Sequence, residues 1–355
     1  MPMNELSKHK ANKSNAHVAC IIIILGIMII ISGCNNSSGI GGGKGSGGSI
    51  SGSKDFYKGT SALSINFVKD MPPAEVYDKN SDFVIGLELK NEGAENVSEG
   101  VLTISVERDY IELKGILQQR NSLVSYENIE GKPNALKFNL GGKSILLPSG
   151  EKGIIYFNAA ARELAEESQA LTSKISVNSC YKYKTVASPS ICLDADYTNT
   201  NPFQKSCVVS DVSIDSQGAP VAVTSVKYKM LPRGDMVKPE FYITIENKGN
   251  GEVINPIDEF VDGVCGVLSE DVFGQKDIPI FNVITVDVFL GGEQTKLDCY
   301  PEKDIKLKDK KAEIRCTLES GIESSEGTYL TPLNIIVEYG YTFSTSKDVV
   351  IRKYV

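Results

Sequence analysis

The chain has 355 residues, 41% of them apolar and 23% charged, enough for two ordinary domains and a leader. Its net charge is −8, and because residues 1–33 hold Lys8, Lys10 and Lys13 against Glu5, the remainder carries −10, which disfavours nucleic acid and anionic headgroups as partners. The only histidines are His9 and His17, so nothing beyond Cys34 can supply a Ser-His-Asp or Cys-His centre or a histidine-bearing zinc site.

The three lysines precede the apolar run "VACIIIILGIMIII" (18–31), followed by Ser32 and Gly33, the layout of a secretory signal. The run has 14 residues, short of the roughly 20 that span a bilayer as a helix. Its basic side is expected to stay cytoplasmic, which sends the body outward. "ISGC" (31–34) resembles the lipobox of secreted lipoproteins, with Ile31 where leucine is commonest. That resemblance implies cleavage and lipid attachment at Cys34; the other reading is an uncleaved signal anchor in which Cys34 is incidental. Residues 35–54 are nearly all Gly and Ser, a coil reaching roughly 25 Å, and their glycines match no Walker A spacing.

From Phe56 onward the chain alternates apolar and polar residues in short runs: 61–68, 82–93, 101–109, 153–159, 173–185, 240–249, 282–290, 312–318 and 333–343. Period two with frequent turns predicts an all-β body of β-sandwich type. An internal repeat supports two copies: "IGLELKNEG" (85–93) aligns with "FYITIENKG" (241–249), each ending in Asn-x-Gly. The expected organisation is a signal or anchor at 1–34, linker at 35–55, modules at 56–196 and 219–355, and an inter-module segment at 197–218. "NAAARELAEESQALT" (158–172) reads as a short helix or a turn.

Strand-N-x-G modules of this kind resemble the immunoglobulin-like and CARDB-like domains of archaeal and bacterial surface proteins. "PPAEVYDKNSDFVIGLELKNEGA", "CYKYKTVASPSICLD", "GAPVAVTSVKYKM" and "LTPLNIIVEYGYTFSTSKDVVIRK" are similar to a group of membrane-anchored archaeal proteins of unassigned function. The resemblance implies two tandem immunoglobulin-like β-sandwich domains and a surface location, and carries no activity.

Six cysteines remain in the body: Cys180, Cys192, Cys207, Cys265, Cys299 and Cys316. An even number in an exported chain reads as disulfides, with 15 possible pairings. Cys180 with Cys192, and Cys299 with Cys316, can each face across a hairpin, which leaves Cys207 with Cys265. Without CxxC spacing or histidine, no metal site, catalytic residue or cofactor is expected. Arg233-Gly234-Asp235 reads as a loop, and Asn96-Val97-Ser98 matches the N-x-S pattern of a glycosylation acceptor, a triplet common by chance. The longest irregular stretch, 255–282, gathers Asp258, Glu259, Asp262, Glu270, Asp271 and Asp277, a place for partner contact or calcium. The expected role is non-enzymatic: an envelope or adhesion-type component held to the membrane by its N-terminus and meeting an unidentified protein or glycan. The alternative is a lipoprotein that binds a small ligand or serves as an accessory subunit of an envelope machine.

Overall fold

The computed structural model describes residues 55–79, 81–117, 124–196, 205–266, 280–292 and 295–354. The expected leader, Cys34 and the Gly/Ser spacer up to residue 54 lie outside them, as do Glu270, Asp271 and Asp277. Alternating residues commit each strand to one buried and one wet face, and the chain is all-β, with its sheets packed as sandwiches.

A four-stranded sheet holds, in spatial order, β1 (Leu63–Phe67), β3 (Ser81–Asn91), β8 (Lys152–Ala161) and β5 (Ile111–Leu117). A second sheet runs β11 (Val212–Ser213), β12 (Val221–Arg233), β13 (Met236–Asn247), β19 (Lys311–Thr317) and β17 (Asp298–Tyr300), with β20 (Ile322–Glu323) on β13. The largest sheet runs β16 (Thr295–Lys296), β15 (Val283–Leu290), β21 (Thr328–Arg352), β9 (Ala170–Ala187), β4 (Val97–Val106), β7 (Ala135–Leu140) and β6 (Ser125–Asn128). In it β2 (Glu75–Tyr77), β10 (Ser190–Asp194) and β14 (Glu252–Ile254) also pair with β21, and β18 (Ile305–Lys306) pairs with β15.

The spine is the antiparallel ladder of β9 with β21, from Ala187↔Ile335 to Ala170↔Arg352. At about 3.3 Å per residue this ladder is about 60 Å long. β4 pairs with the middle of β9, and β15 with the first half of β21. The sequence halves on either side of 197–218 therefore share one sheet and one continuous buried core. The end of β21 reaches back to the N-terminal half, where β2 runs parallel to it and Arg352 grips Glu75 through two nitrogens at 2.6 and 2.7 Å.

The Asn-x-Gly repeat is a structural repeat. The orders β1-β3-β8-β5 and β12-β13-β19-β17 correspond, with Leu63↔Asn91 in one and Val221↔Asn247 in the other. In the spine Tyr183 lies opposite Tyr339 and Tyr181 opposite Tyr341, with Lys182 opposite Gly340 between them. Each residue thus faces the counterpart of its neighbour, so a local two-fold passes through the Lys182–Gly340 pair. This is the self-complementary contact of a symmetric dimer, built within one chain.

Three expectations change. Of the two readings of 158–172 the helix fails and the turn between strands holds: Asn158–Ala161 finish β8 and β9 starts at Ala170, with Ala159, Ala160 and Ala161 buried in sheet pairing with β3 and β5. A helix, α1 (Asp258–Val264), stands in the stretch read as irregular. The disulfides are Cys180–Cys265, Cys192–Cys207 and Cys299–Cys316. Only the last pairing is as expected, its cysteines directly opposite on β17 and β19. Cys180 and Cys192 do not meet because β9 is already flanked by β4 and β21; the Ser188-Pro189 corner sends β10 on to pair with the start of β21. Such bridges form in oxidising compartments, so the protein is extracellular. No helix among the described residues is long and apolar enough to cross a membrane.

The buried Asp78 carboxylate closes the C-terminus, accepting from the backbone N–H of Tyr354 at 2.7 Å and of Leu164 at 3.3 Å. The Tyr354 bond holds this carboxyl below the ordinary carboxylate range, against the opposing effect of burial, and the Leu164 bond adds to it. The folded state then binds fewer protons than the unfolded one. The contribution is complete above the ordinary carboxylate pKa of about 4 and is lost as pH falls through the lowered folded value. Protection from hydrogen exchange at residues 350–354, measured against the intrinsic rate at each pH, is expected to fall in acid in the native protein, and to be low at every pH in Asp78→Asn.

Candidate binding surface at the sheet junction

Alternation along β9 and β21 sends Tyr181, Tyr183, Tyr339 and Tyr341 inward and Lys182, Lys184 and Glu338 outward. The four rings form a circuit around the local two-fold, with centroids 5.9 to 6.3 Å apart. Each such pair adds about 0.5–1.5 kcal/mol beyond area burial.

A buried phenol needs a partner for its hydroxyl, and each finds one on a backbone that must be held. The Tyr183 hydroxyl accepts from Glu95 N–H at 3.0 Å and donates to Glu95 O at 3.1 Å. The Tyr341 hydroxyl accepts from Gly251 N–H at 2.8 Å and donates to Asn247 Oδ1 at 3.3 Å. Tyr181 accepts from Leu63 N–H, and Tyr339 from Val221 N–H, both at 3.4 Å. The Thr185 hydroxyl donates to Val221 O at 2.6 Å, so Tyr339 is the donor in its 3.0 Å bond to Thr185. Within the turns, Asn91 and Asn247 accept from the N–H of Gly93 and Gly249 and donate to the carbonyls of Glu95 and Gly251. The Asn-x-Gly signature is thus the socket for a tyrosine from the spine.

Burial pushes all four phenols up, Tyr341 to about 12 and the others further. The folded state therefore holds its phenolic protons above the unfolded value of about 10. Stability is whole below pH 10 and declines as pH rises through the folded values. In an alkaline titration followed by tyrosinate absorbance, four phenols are expected to ionise only with unfolding; four that titrate near pH 10 with the fold intact would contradict the buried quartet.

On the outer side of the same junction lies an open trough of about 500 Å³. Its floor is Lys182 and Lys184 with Glu338, its walls the turn at Glu95 and Asn96, Glu99 of β4, and Asp258 at the start of α1. Lys182 pairs with Asp258 at 2.6 Å and Lys184 with Glu95 at 3.8 Å, while Glu338 lies opposite Lys184 in the ladder. Helix α1 is fixed beside it by Cys180–Cys265 and by a small core of Val101, Ile254, Phe260 and Val261. A side chain at Gly340 would collide with Val261 Cγ2 at 2.7 Å, so α1 rests where the spine is bare. A second open trough of about 650 Å³, near Arg108, Glu112 and Arg162, borders Gly266.

The other expected site residues lie as follows. Asn96 is exposed at the trough rim, its Oδ1 accepting from Gly142 N–H. Asp262 faces Lys137 at 3.8 Å, and burial raises its carboxyl against the pull of that lysine. Among the described residues no group of His, Cys, Asp or Glu is placed to hold a metal. Arg233-Gly234-Asp235 is the tight hairpin between β12 and β13, with Gly234 at φ 64° and the Asp235 carbonyl accepting from Ser324. Alternation alone does not mark the tyrosine sockets; their signal in the sequence is "YKY" and "YGY" at matching positions of the two copies.

No protein-family profile matches the chain, and no curated protein matches it. Solved structures with some likeness include a type I cohesin–dockerin complex from Clostridium thermocellum, 16% identical over 35% of this chain and 87% of that one, TM-score 0.21. Actinomyces fimbrial adhesin FimA is 10% identical over 55% and 92%, TM-score 0.19. Collagen adhesin CNA from S. aureus is 9% identical over 84% and 93%, TM-score 0.16. Likeness at these scores carries no function across.

Proposed function

We propose that the protein is a non-enzymatic binding component of the cell envelope, tethered to the membrane by its N-terminus and meeting a protein or glycan at the trough over the sheet junction. The observation that carries this reading is the trough itself, where two lysines and four carboxylates stand on a rigid, disulfide-braced sheet and face open solvent. Exposed charge set on a stiff scaffold suits a large partner, giving specificity and encounter rate. A small-ligand site buries most of its ligand's surface, and the trough over the junction lies open to solvent.

In this reading Cys34 is the lipid attachment point, residues 35–55 are the spacer, and Asn96 is a glycan acceptor. The resemblance to archaeal membrane-anchored proteins with CARDB-like modules supports the same address. Crosslinking and pull-down from native membranes tests the binding role, with Lys182→Glu/Lys184→Glu as the comparison. The native chain is expected to capture a protein or glycan that the variant loses. Equal capture by both would move binding away from the trough, and recovery of lipid alone would remove the adhesion role. Mass spectrometry of the mature N-terminus tests Cys34, since an intact leader would overturn its lipidation.

A further inference from the structure

The loop between β7 and β8 ends in three consecutive apolar side chains turned to solvent. Ile145 is 77% exposed, Leu146 94% and Leu147 38%. Single exposed apolar residues are ordinary, but three together on a fixed turn form a patch that calls for a cover. The turn is held: Ser144 N–H donates to Leu147 O at 3.0 Å, Leu147 N–H donates to Ser144 O and Oγ, and Gly150 N–H donates to Leu147 O at 3.0 Å.

The place of this loop says what covers it. Its stalk is bonded to the first Asn-x-Gly turn through Lys143 N–H to Gly93 O at 2.7 Å. The next residue, Ala94, donates to Gly218 O at 2.8 Å, and Gly218 N–H donates to Gly59 O at 3.0 Å. Three hydrogen bonds therefore join the loop to the point where the spacer delivers the body. On the tether reading only twenty residues separate Cys34 from Asp55, which keeps that end of the body near the bilayer. Tyr57, 57% exposed beside the same point, has the amphipathic ring favoured at headgroup depth.

We propose that the Ile145-Leu146-Leu147 tip inserts into the lipid bilayer and seats that end of the body on the membrane. The proposal rests on the tether reading above and adds a second, apolar contact. The acidic body does not oppose it on zwitterionic lipid, because the contact is made by hydrocarbon and not by charge.

The chain has no tryptophan, so Leu146→Trp places a single reporter on the tip, and Arg233→Trp places one on the hairpin at the far end of β12. Each full-length variant is mixed with phosphatidylcholine vesicles, part of whose acyl chains carry bromine. The reporter at 146 is expected to shift its emission to the blue and lose intensity to brominated lipid, while that at 233 does neither. Co-sedimentation with the vesicles reads the tether in the same samples. A chain that sediments with its 146 reporter unquenched overturns the tip contact and leaves the tether standing. A chain that does not sediment removes both.

Discussion

Removing the Cys180–Cys265 bridge with paired alanines is expected to cost about 4–5 kcal/mol, against about 3 kcal/mol for either of the other two. The difference follows from loop length: the bridge closes 85 residues, whereas Cys192–Cys207 and Cys299–Cys316 close 15 and 17. Cross-linking a longer loop removes more freedom from the unfolded chain. The first bridge is also the covalent hold on α1, whose core of Val101, Ile254, Phe260 and Val261 is small. Its loss should leave the spine folded while hydrogen exchange across 258–264 rises, which neither of the other removals should do. Denaturant midpoints for the three double variants check the order. Equal costs would mean that packing, and not the bridge, holds α1 and the long loop.

The sequence shows which residues form strands far better than which strands meet. All nine alternating runs lie on strands, from 61–68 on β1 to 333–343 inside β21, because period two is a local property of one strand and its two faces. Pairing is not local. Nothing in "CYKYKTVASPSIC" distinguishes a hairpin from a corner at Ser188-Pro189, and the outcome depends on β21, more than a hundred residues away, occupying the edge of β9. The disulfide error and the continuous sheet across 197–218 share that cause. The helix at 258–264 escaped because it spans only seven residues and has no side-chain N-cap, so it carries none of the usual start signals. The trough was half legible: its acidic wall at Asp258 stood out, whereas Lys182 and Lys184 read as the wet face of an ordinary strand.

The local two-fold gives the two Asn-x-Gly turns a stiffness that a tandem array of independent modules would lack. A long strand of each half pairs with that of the other, so neither copy can swing without breaking the β9–β21 ladder. The trough and the apolar loop tip stand side by side on one such body, Asn96 at the trough rim accepting from Gly142 N–H at the base of the tip's loop.

Gly93→Ala is expected to destabilise the protein by about 3–5 kcal/mol, an overpacking cost of about 1–3 kcal/mol with one or two buried hydrogen bonds lost besides. The added Cβ would stand 2.0 Å from the Tyr183 hydroxyl oxygen and 2.7 Å from Gly218 O, and neither can move freely. The hydroxyl is pinned to Glu95, and Gly218 to Ala94 and Gly59. Gly249→Ala is its counterpart, with Tyr341 Oη at 2.3 Å and Pro220 Cβ at 2.7 Å. The same reasoning predicts how each effect is relieved. Tyr183→Phe alone leaves the Glu95 N–H without its partner and costs about 1–3 kcal/mol. In the Gly93→Ala background it also removes the atom in collision, so the double variant should be at least about 1 kcal/mol more stable than the two single costs predict. Pairing Gly93→Ala with Tyr341→Phe, at the other socket, should be close to additive. Urea unfolding of the four single and four double variants separates these cases. Additivity in the matched pairs would show that the glycines serve the turn's backbone alone and not the approach of the tyrosine.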